Sequence, residues 1–421
     1  MSNLKAALAA TLAISLAASV AHAQPKIKLL HQWANGNDAN SIKTLGEMFT
    51  SSGGVWDQTA ISGSTANTLA KLGADVVAGN PPPAVQLKGP EIAKWYKTGM
   101  LARLDDQAVK EGWDKLVAPE LLPVMKPDGH WVAVPMNIHR INWMWGNKAA
   151  MAAVGVDQMP KTWAEFNTAC EKAVAGGKIC IAHHSADWTD GTTFETVVYG
   201  IDKDLFQKTF VEGEVEAMRS EGMVKAFAQM RLMVSKDMDP NIVGRDYDTA
   251  VNMLANGDAL FYFMGDWLIG SLVSKGKDPG KDILCSQAPV DWGKPGFILN
   301  SDSIAFFTQE NSDYVEGQQL LAHTVMTPEF QRLFNIKKGS IPARLDIDLS
   351  NGFNACQQKS QQDLRASIEA GTLMRSIAHN MTVLQTIRGA IMDTVTEFVN
   401  TPGMTPEQAA NAMADTVEAQ Q

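Results

Sequence analysis

Polar and apolar residues alternate along Lys26-Ile-Lys-Leu-Leu-His31 before the segment turns apolar, the pattern of a half-buried strand. The polar stretch Gln32-Trp-Ala-Asn-Gly-Asn37 reads as a loop, and a helix is predicted from about Asp38, an N-cap type of residue, to Thr50. Residues 55–61 return to a strand pattern, Ser62-Gly-Ser-Thr65 is a Gly/Ser loop, and a second helix runs from about Thr65 to Ala78. Gly79-Asn-Pro-Pro-Pro83 ends that helix before a short strand at Ala84-Val-Gln-Leu87. Strands alternating with helices predict parallel βαβ units and an α/β fold. In such sheets the loops gather at the carboxyl ends of the strands and form the ligand crevice. Trp33, Ser62, Ser64, Gln86 and Lys88 fall there.

Further on, Val132-Ala-Val-Pro135 and residues 138–145 read as strands around a crossover, and Thr162-Trp-Ala-Glu165 fits a capping box. A mostly helical stretch extends to about Ala255. Ala259-Leu-Phe-Tyr-Phe-Met264 is a strand leading to Gly265-Asp266-Trp267, where Asp266 is placed to cap a helix starting at Trp267. Residues 297–307 form another strand run, interrupted by Asn300-Ser301-Asp302, and the last third is helix-rich. The pattern contains no repeat, low-complexity tract or linker that would separate independent domains, which suits two lobes sharing the chain through several crossings.

At the N-terminus, Lys5 precedes an apolar run over residues 6–20 and the small-x-small site Ala21-His22-Ala23. This is the layout of a secretory signal over residues 1–23, with no Cys at the cleavage point to carry a lipid anchor. The remaining residues 24–421 suffice for two or three units of ordinary domain size. A net charge of −10 argues against a nucleic-acid partner, which demands a basic surface. Four cysteines in an exported chain are compatible with two disulfides. The pairing expected is Cys170 with Cys180 and Cys285 with Cys356, with four reduced buried thiols as the alternative; no C-x-x-C spacing suggests a metal.

No G-x-S-x-G, H-E-x-x-H or Walker A motif points to an enzyme. His183-His184 is an adjacent pair without a further ligand at useful spacing, so a surface or loop role is expected. Asp187 and Asp190 are one of many possible carboxylate pairs among 46 acidic residues and carry no weight as hydrolase candidates. Binding chemistry is better represented. A sugar requires flat apolar surface for its C–H faces, and acceptors and donors for its hydroxyls. The chain has 11 Trp against 5 Tyr. Most of these indoles are expected to be core, but Trp33 and Trp267 lie in polar contexts at strand ends. Taken alone, Asn300-Ser301-Asp302 reads equally well as a buried structural network, Lys338-Gly-Ser-Ile-Pro-Ala-Arg344 as a surface turn, and His379 as a structural histidine.

An ordered set of segments changes that balance. Gln86-Leu-Lys-Gly-Pro90, His130-Trp-Val-Ala-Val-Pro-Met-Asn-Ile-His-Arg140, Asn142-Trp-Met-Trp145, Met264-Gly-Asp-Trp267, Leu299-Asn-Ser-Asp-Ser303, Lys338-Gly-Ser-Ile-Pro-Ala-Arg-Leu-Asp346 and Ala378-His379 span nearly the whole mature chain. Together they resemble the glucose-binding proteins of bacterial ABC importers, within the family-1 extracellular solute-binding proteins. The resemblance implies a two-lobed periplasmic-binding-protein fold with a hinge and an inter-lobe cleft. It divides the chain into lobe I (24–136 and 296–345) and lobe II (137–295 and 346–421). It also implies a ligand set: Trp33 and Trp267 against a pyranose ring, Lys88, Asn300, Asp302, Lys338 and His379 on its hydroxyls, and Gln86 and the loop around Ser64 from the first lobe. The family's first loop commonly reads His-Trp-Trp followed by a Glu; here it is His31-Gln32-Trp33, with Asp38 near the carboxylate's place. Cys285 and Cys356 look like the family's disulfide pair. The implied partners are a small sugar, ABC permease subunits and a possible chemoreceptor, with a monomeric chain, no cofactor and no metal. The rival reading is an exported carbohydrate-active enzyme, or a binder of an amino sugar or short glycoside.

Overall fold

A computed structural model describes residues 24–34, 36–63, 65–294 and 296–420; the proposed signal segment and Ser64 lie outside the described residues. Among the described residues there are twelve strands: β1 (Lys26–His31), β2 (Val55–Ala60), β3 (Ala84–Leu87), β4 (Ala133–Pro135), β5 (His139–Arg140), β6 (Trp143–Asn147), β7 (Ile179–Ala182), β8 (Ala259–Phe263), β9 (Ile283–Gln287), β10 (Phe297–Asn300), β11 (Ser303–Phe306) and β12 (Leu373–Arg375). They form a five-stranded sheet β2-β1-β3-β11-β4, a four-stranded sheet β7-β8-β6-β9 and a three-stranded sheet β12-β10-β5. The expected parallel βαβ units are present, because β2 and β3 both pair parallel to β1 through helices Gly36–Ser51 and Thr65–Val77. Helices and mixed sheets together make the α/β architecture.

Each larger sheet has its own apolar packing. Leu29, Leu45, Phe49, Val85, Val134 and Phe306 pack around the five-stranded sheet. Phe166, Phe194, Phe227, Phe261 and Phe398 belong to one core beside the four-stranded sheet, and Trp143, Trp145, Val251 and Leu254 to another. Every residue of β3, β6 and β8 is buried, which explains why Ala259–Phe263 reads as a continuous apolar run rather than an alternating one.

Two strand runs that look continuous in sequence change sheets. Residues 138–145 break at Ile141 and Asn142, so that β5 joins the three-stranded sheet and β6 the four-stranded one. The Asn142 side chain replaces the lost ladder bonds, accepting from Ile298 N (3.0 Å) and donating to the Gly296 carbonyl (3.3 Å). Residues 297–307 break at Ser301 and Asp302, placing β10 in the three-stranded sheet and β11 in the five-stranded sheet. Here Asn137 is the partner: its carbonyl accepts from Ser301 Oγ (2.7 Å) and its Oδ1 from Asp302 N (2.8 Å). Side-chain amides thus satisfy the backbone where the chain passes between sheets.

Both expected disulfides, Cys170–Cys180 and Cys285–Cys356, are present. The second ties β9 to helix Ala355–Ala370 across 71 residues of sequence. Thr162 caps helix Trp163–Ala175 by accepting from Glu165 N (3.2 Å), but the Glu165 carboxylate accepts from Lys161 N rather than from the cap. Asp266 does not cap the helix that follows it. That helix is Leu268–Ser274, with Trp267 at the cap, because the Asp266 carboxylate is taken by His139 and by Arg140 N (2.9 Å).

Candidate functional site

A cavity of about 720 Å3 opens where loops of the five- and four-stranded sheets meet the strand crossings. Its wall draws on residues from Gln32 to Arg388, so it is assembled from the whole chain. Of the ligand set implied by the sequence, Trp33, Asp38, Lys88, Trp267, Asn300, Asp302, Lys338 and His379 all line this one cavity. Gln86 does not. It lies behind the wall, accepting from Gln32 N (3.1 Å) and donating to Asp302 Oδ1 (3.1 Å). The Ser62–Thr65 loop is represented in the wall by Gly63 and Thr65.

Asp302 is the electrostatic centre. It stands just before β11 and opposite the end of β3, 2% exposed, and four nitrogens surround its carboxylate. Lys88 Nζ (2.7 Å) and Gln86 Nε2 meet Oδ1, while Asn137 Nδ2 (2.9 Å) and His139 Nε2 (3.2 Å) meet Oδ2. Burial alone would push this carboxyl up; Lys88, His139 and Lys338 overcome it and hold it well below the ordinary carboxylate range. His139 is buried too, and burial would lower it, but Asp266 on its other nitrogen raises it above the usual imidazole value. Lys338 ends helix Pro328–Lys338, where Gly339 takes the left-handed conformation (φ 89°) that terminates the helix. It is buried, not on a surface turn: its ammonium lies 2.5 Å from Asp38 Oδ1 and 5.1 Å from the Trp33 ring centroid. Burial would lower its pKa, and Asp38, Asp302 and Asp266 raise it instead.

The apolar walls are indoles. Trp33 is backed by Phe334 at 5.7 Å. Trp267 packs edge-on to His139 (5.4 Å), His379 (5.1 Å) and Trp188 (6.1 Å). Asn300 Oδ1 is buried with no hydrogen-bond partner among the described residues. A buried acceptor without a donor costs about 1–3 kcal/mol.

The sequence reading passed over several wall residues. Trp188, not among the two indoles singled out from the sequence, lines the cavity with Tyr247, Arg388 and His139. The polar neighbours Asp187 and Thr189 were the signal available for Trp188; nothing local marked His139, whose role comes from contacts 127 and 163 residues away. His183 and His184 are buried rather than superficial. His183 Nε2 meets Asp190 Oδ1 at 2.7 Å, and His184 meets the Tyr262 hydroxyl at 2.8 Å while packing on Trp188 and Tyr247. They support the aromatic wall from behind.

Residues 44–361 match the family described as bacterial extracellular solute-binding protein, and the chain belongs to that family. It is 37% identical over 422 residues to a probable sugar-binding periplasmic protein of Brucella suis biovar 1 (strain 1330), covering 99% of both chains. Among solved structures it is similar to a chitin oligosaccharide binding protein (TM-score 0.80, 18% identity, 94% of this chain and 99% of that one). It is also similar to the bacterial solute receptor AcbH, described as having an exclusive preference for β-D-galactopyranose (TM-score 0.75, 16% identity, 94% and 99%). At these identities the structural likeness speaks to the two-domain sugar-binding-protein fold.

Proposed function

We propose that the chain is a periplasmic binding protein that captures a neutral monosaccharide, glucose or a related aldohexose, and delivers it to the permease of an ABC transporter. The observation that carries this reading is the composition of the cavity wall. Two indoles, Trp33 and Trp267, supply apolar wall for a pyranose ring, and Lys88, Asn300, Asp302, Lys338 and His379 supply polar groups around them. Charge favours an uncharged ligand. The wall contains four Lys or Arg residues and four Asp residues, and each cation has a carboxylate: Lys88–Asp302, Lys338–Asp38, Arg388–Asp187 (3.3 Å) and Lys275–Asp248 (3.9 Å). An ammonium or carboxylate on the ligand would enter a desolvated site already neutral, at a cost of several kcal/mol. This weighs for a plain hexose over an amino sugar.

In this reading residues 24–136 and 296–345 form one lobe and residues 137–295 and 346–421 the other, hinged at the crossings near Asn137 and Ser301. Residues 1–23 are the export signal. Sugar bound to one lobe draws the other closed through contacts that exist only when both touch it. Micromolar affinity, about −8 kcal/mol, is within reach of a few charge-assisted hydrogen bonds at roughly 1.5–3 kcal/mol each, less ordering costs. The test is a thermal-shift and calorimetric panel of neutral hexoses, amino sugars, uronic acids and disaccharides. A ligand at 100 times its Kd adds about 2.7 kcal/mol of stability. Stoichiometric binding of a neutral hexose is expected; selective binding of a charged sugar, or turnover of any sugar, would refute the reading.

A further inference from the structure

His379 lines the cavity on the segment between β12 and helix Gln385–Asn400, and that segment is held unusually firmly. The buried Glu195 accepts from Ser376 Oγ (2.7 Å), Ile377 N (2.9 Å) and Ala378 N (3.3 Å). Arg388 Nε donates to the Ala378 carbonyl (3.0 Å), and His379 N donates to Ser376 Oγ (3.0 Å). The ring is therefore fixed in place, with Nε2 at 2.9 Å from Thr192 Oγ1.

The Thr192 hydroxyl has a second neighbour, the Trp188 carbonyl one helical turn back, at 2.7 Å. A carbonyl oxygen only accepts, so the single hydroxyl proton is committed to it. What Thr192 turns toward His379 is then an oxygen lone pair, and the ring nitrogen facing it must carry the hydrogen. The ring is also neutral: burial, with Lys88, Arg388 and His139 nearby, holds its pKa well below the ordinary value against the pull of Asp302.

We propose that Thr192 fixes His379 as the Nε2–H tautomer, so that Nδ1 stands as a bare acceptor for a ligand hydroxyl. The proposal rests on the sugar-binding reading and assigns this histidine the role of acceptor instead of donor. It matters because the polar groups nearest His379 in the wall are donors or already engaged. Asp302, the most deeply buried carboxylate of the wall, is already surrounded by four nitrogens, and Lys88 and Lys338 beside it are donors, so His379 Nδ1 adds an acceptor where the nearest carboxylate is committed. Thr192 is thus a positioning residue that acts through His379.

Long-range proton–nitrogen NMR of the imidazole reads the tautomer directly, with the His379 signal assigned by its loss in His379→Ala. Calorimetry with D-glucose, D-galactose and maltose reads affinity. The wild type and Thr192→Ser, which keeps the hydroxyl, are expected to show the Nε2–H form and the same sugar affinity. Thr192→Val should lose that tautomer preference and bind about 10-fold more weakly, and should have no further effect in the His379→Ala background. An Nδ1–H or doubly protonated ring in the wild type near pH 7 overturns the proposal even if Thr192→Val fails to fold. So does a Thr192→Val protein with unchanged tautomer and affinity, or additive losses in the double variant. If no sugar binds the wild type, the sugar reading and the acceptor role fall together, while the tautomer assignment is still decided by the NMR of the free protein.

Discussion

Lys88 and Asp302 face each other at 2.7 Å because β3 and β11 pair antiparallel with Leu87 opposite Ser303, which sets the residue after one strand beside the residue before the other. Strand register, not sequence proximity, builds the charged centre of the cleft. Replacing Asp302 by Ala would leave Lys88 buried without its counter-charge and His139 Nε2 without its carboxylate partner. We expect a loss of about 3–5 kcal/mol in stability together with a fall in sugar affinity of at least ~10²-fold. Denaturant titration and calorimetry measure the two separately. A variant with native stability and native affinity would remove Asp302 from the site.

Asn300 predicts the opposite pattern. Its Oδ1 is already unsatisfied in the free protein, so Asn300→Ala removes an uncompensated acceptor from the cavity wall. The unliganded melting temperature should stay level or rise, while sugar affinity drops roughly 10- to 100-fold. A destabilised apo protein with unchanged affinity would mark Asn300 as structural.

How much of this was visible in the chain itself differs by level. The βαβ opening, the two disulfides and the strand at 259–263 follow from local periodicity and cysteine spacing, and they stand as expected. The two changes of sheet did not announce themselves, because an apolar run keeps its pattern while its pairing partner changes. Only the polar triplet at 300–302 hinted at one of them. Lys338 read as a surface turn when taken alone, since the carboxylate that makes its burial tolerable, Asp38, is 300 residues away. Asp266 looked like a helix cap by position but is claimed by His139, a competition that no local signal reveals.

Glu195 gives a pH signature. Burial raises its pKa from 4.5 to about 7, against the opposing hydrogen bonds of Ser376, Ala378 and Ile377 and the charge of Arg388. The folded protein therefore keeps a proton that the unfolded chain gives up. In that window the native state binds more protons, so Glu195's contribution to stability falls as pH rises from about 4.5 to 7 and is flat outside it. Subtracting the stability curve of Glu195→Gln from that of the wild type should give this decline, with a slope of at most about 1.4 kcal/mol per pH unit. Asp237, also near 7, and His184, near 3 with the opposite sign, are present in both proteins and cancel in the difference. A flat difference curve would contradict the assignment.

The rim of the cleft supplies a mechanical test. A Cβ on Gly270, in helix Leu268–Ser274, would come within 2.2 Å of the Asn37 side chain, which itself donates to the Lys337 carbonyl (3.0 Å). Gly270→Leu suits the helix but inserts bulk between the two sides. It should weaken sugar binding by about 10-fold or more while leaving unfolding cooperative, and small-angle scattering should show a larger radius of gyration with sugar present than the wild type has. Native affinity in this variant would mean that the two rims need not meet.

The wall that begins at Gln32 and ends at Arg388 has a consequence for biogenesis. No contiguous stretch of the polypeptide supplies the whole binding surface, so a chain ending before His379 and Arg388 would lack part of the wall however well its first sheet had formed. The complete wall is thereby available only once synthesis is nearly finished.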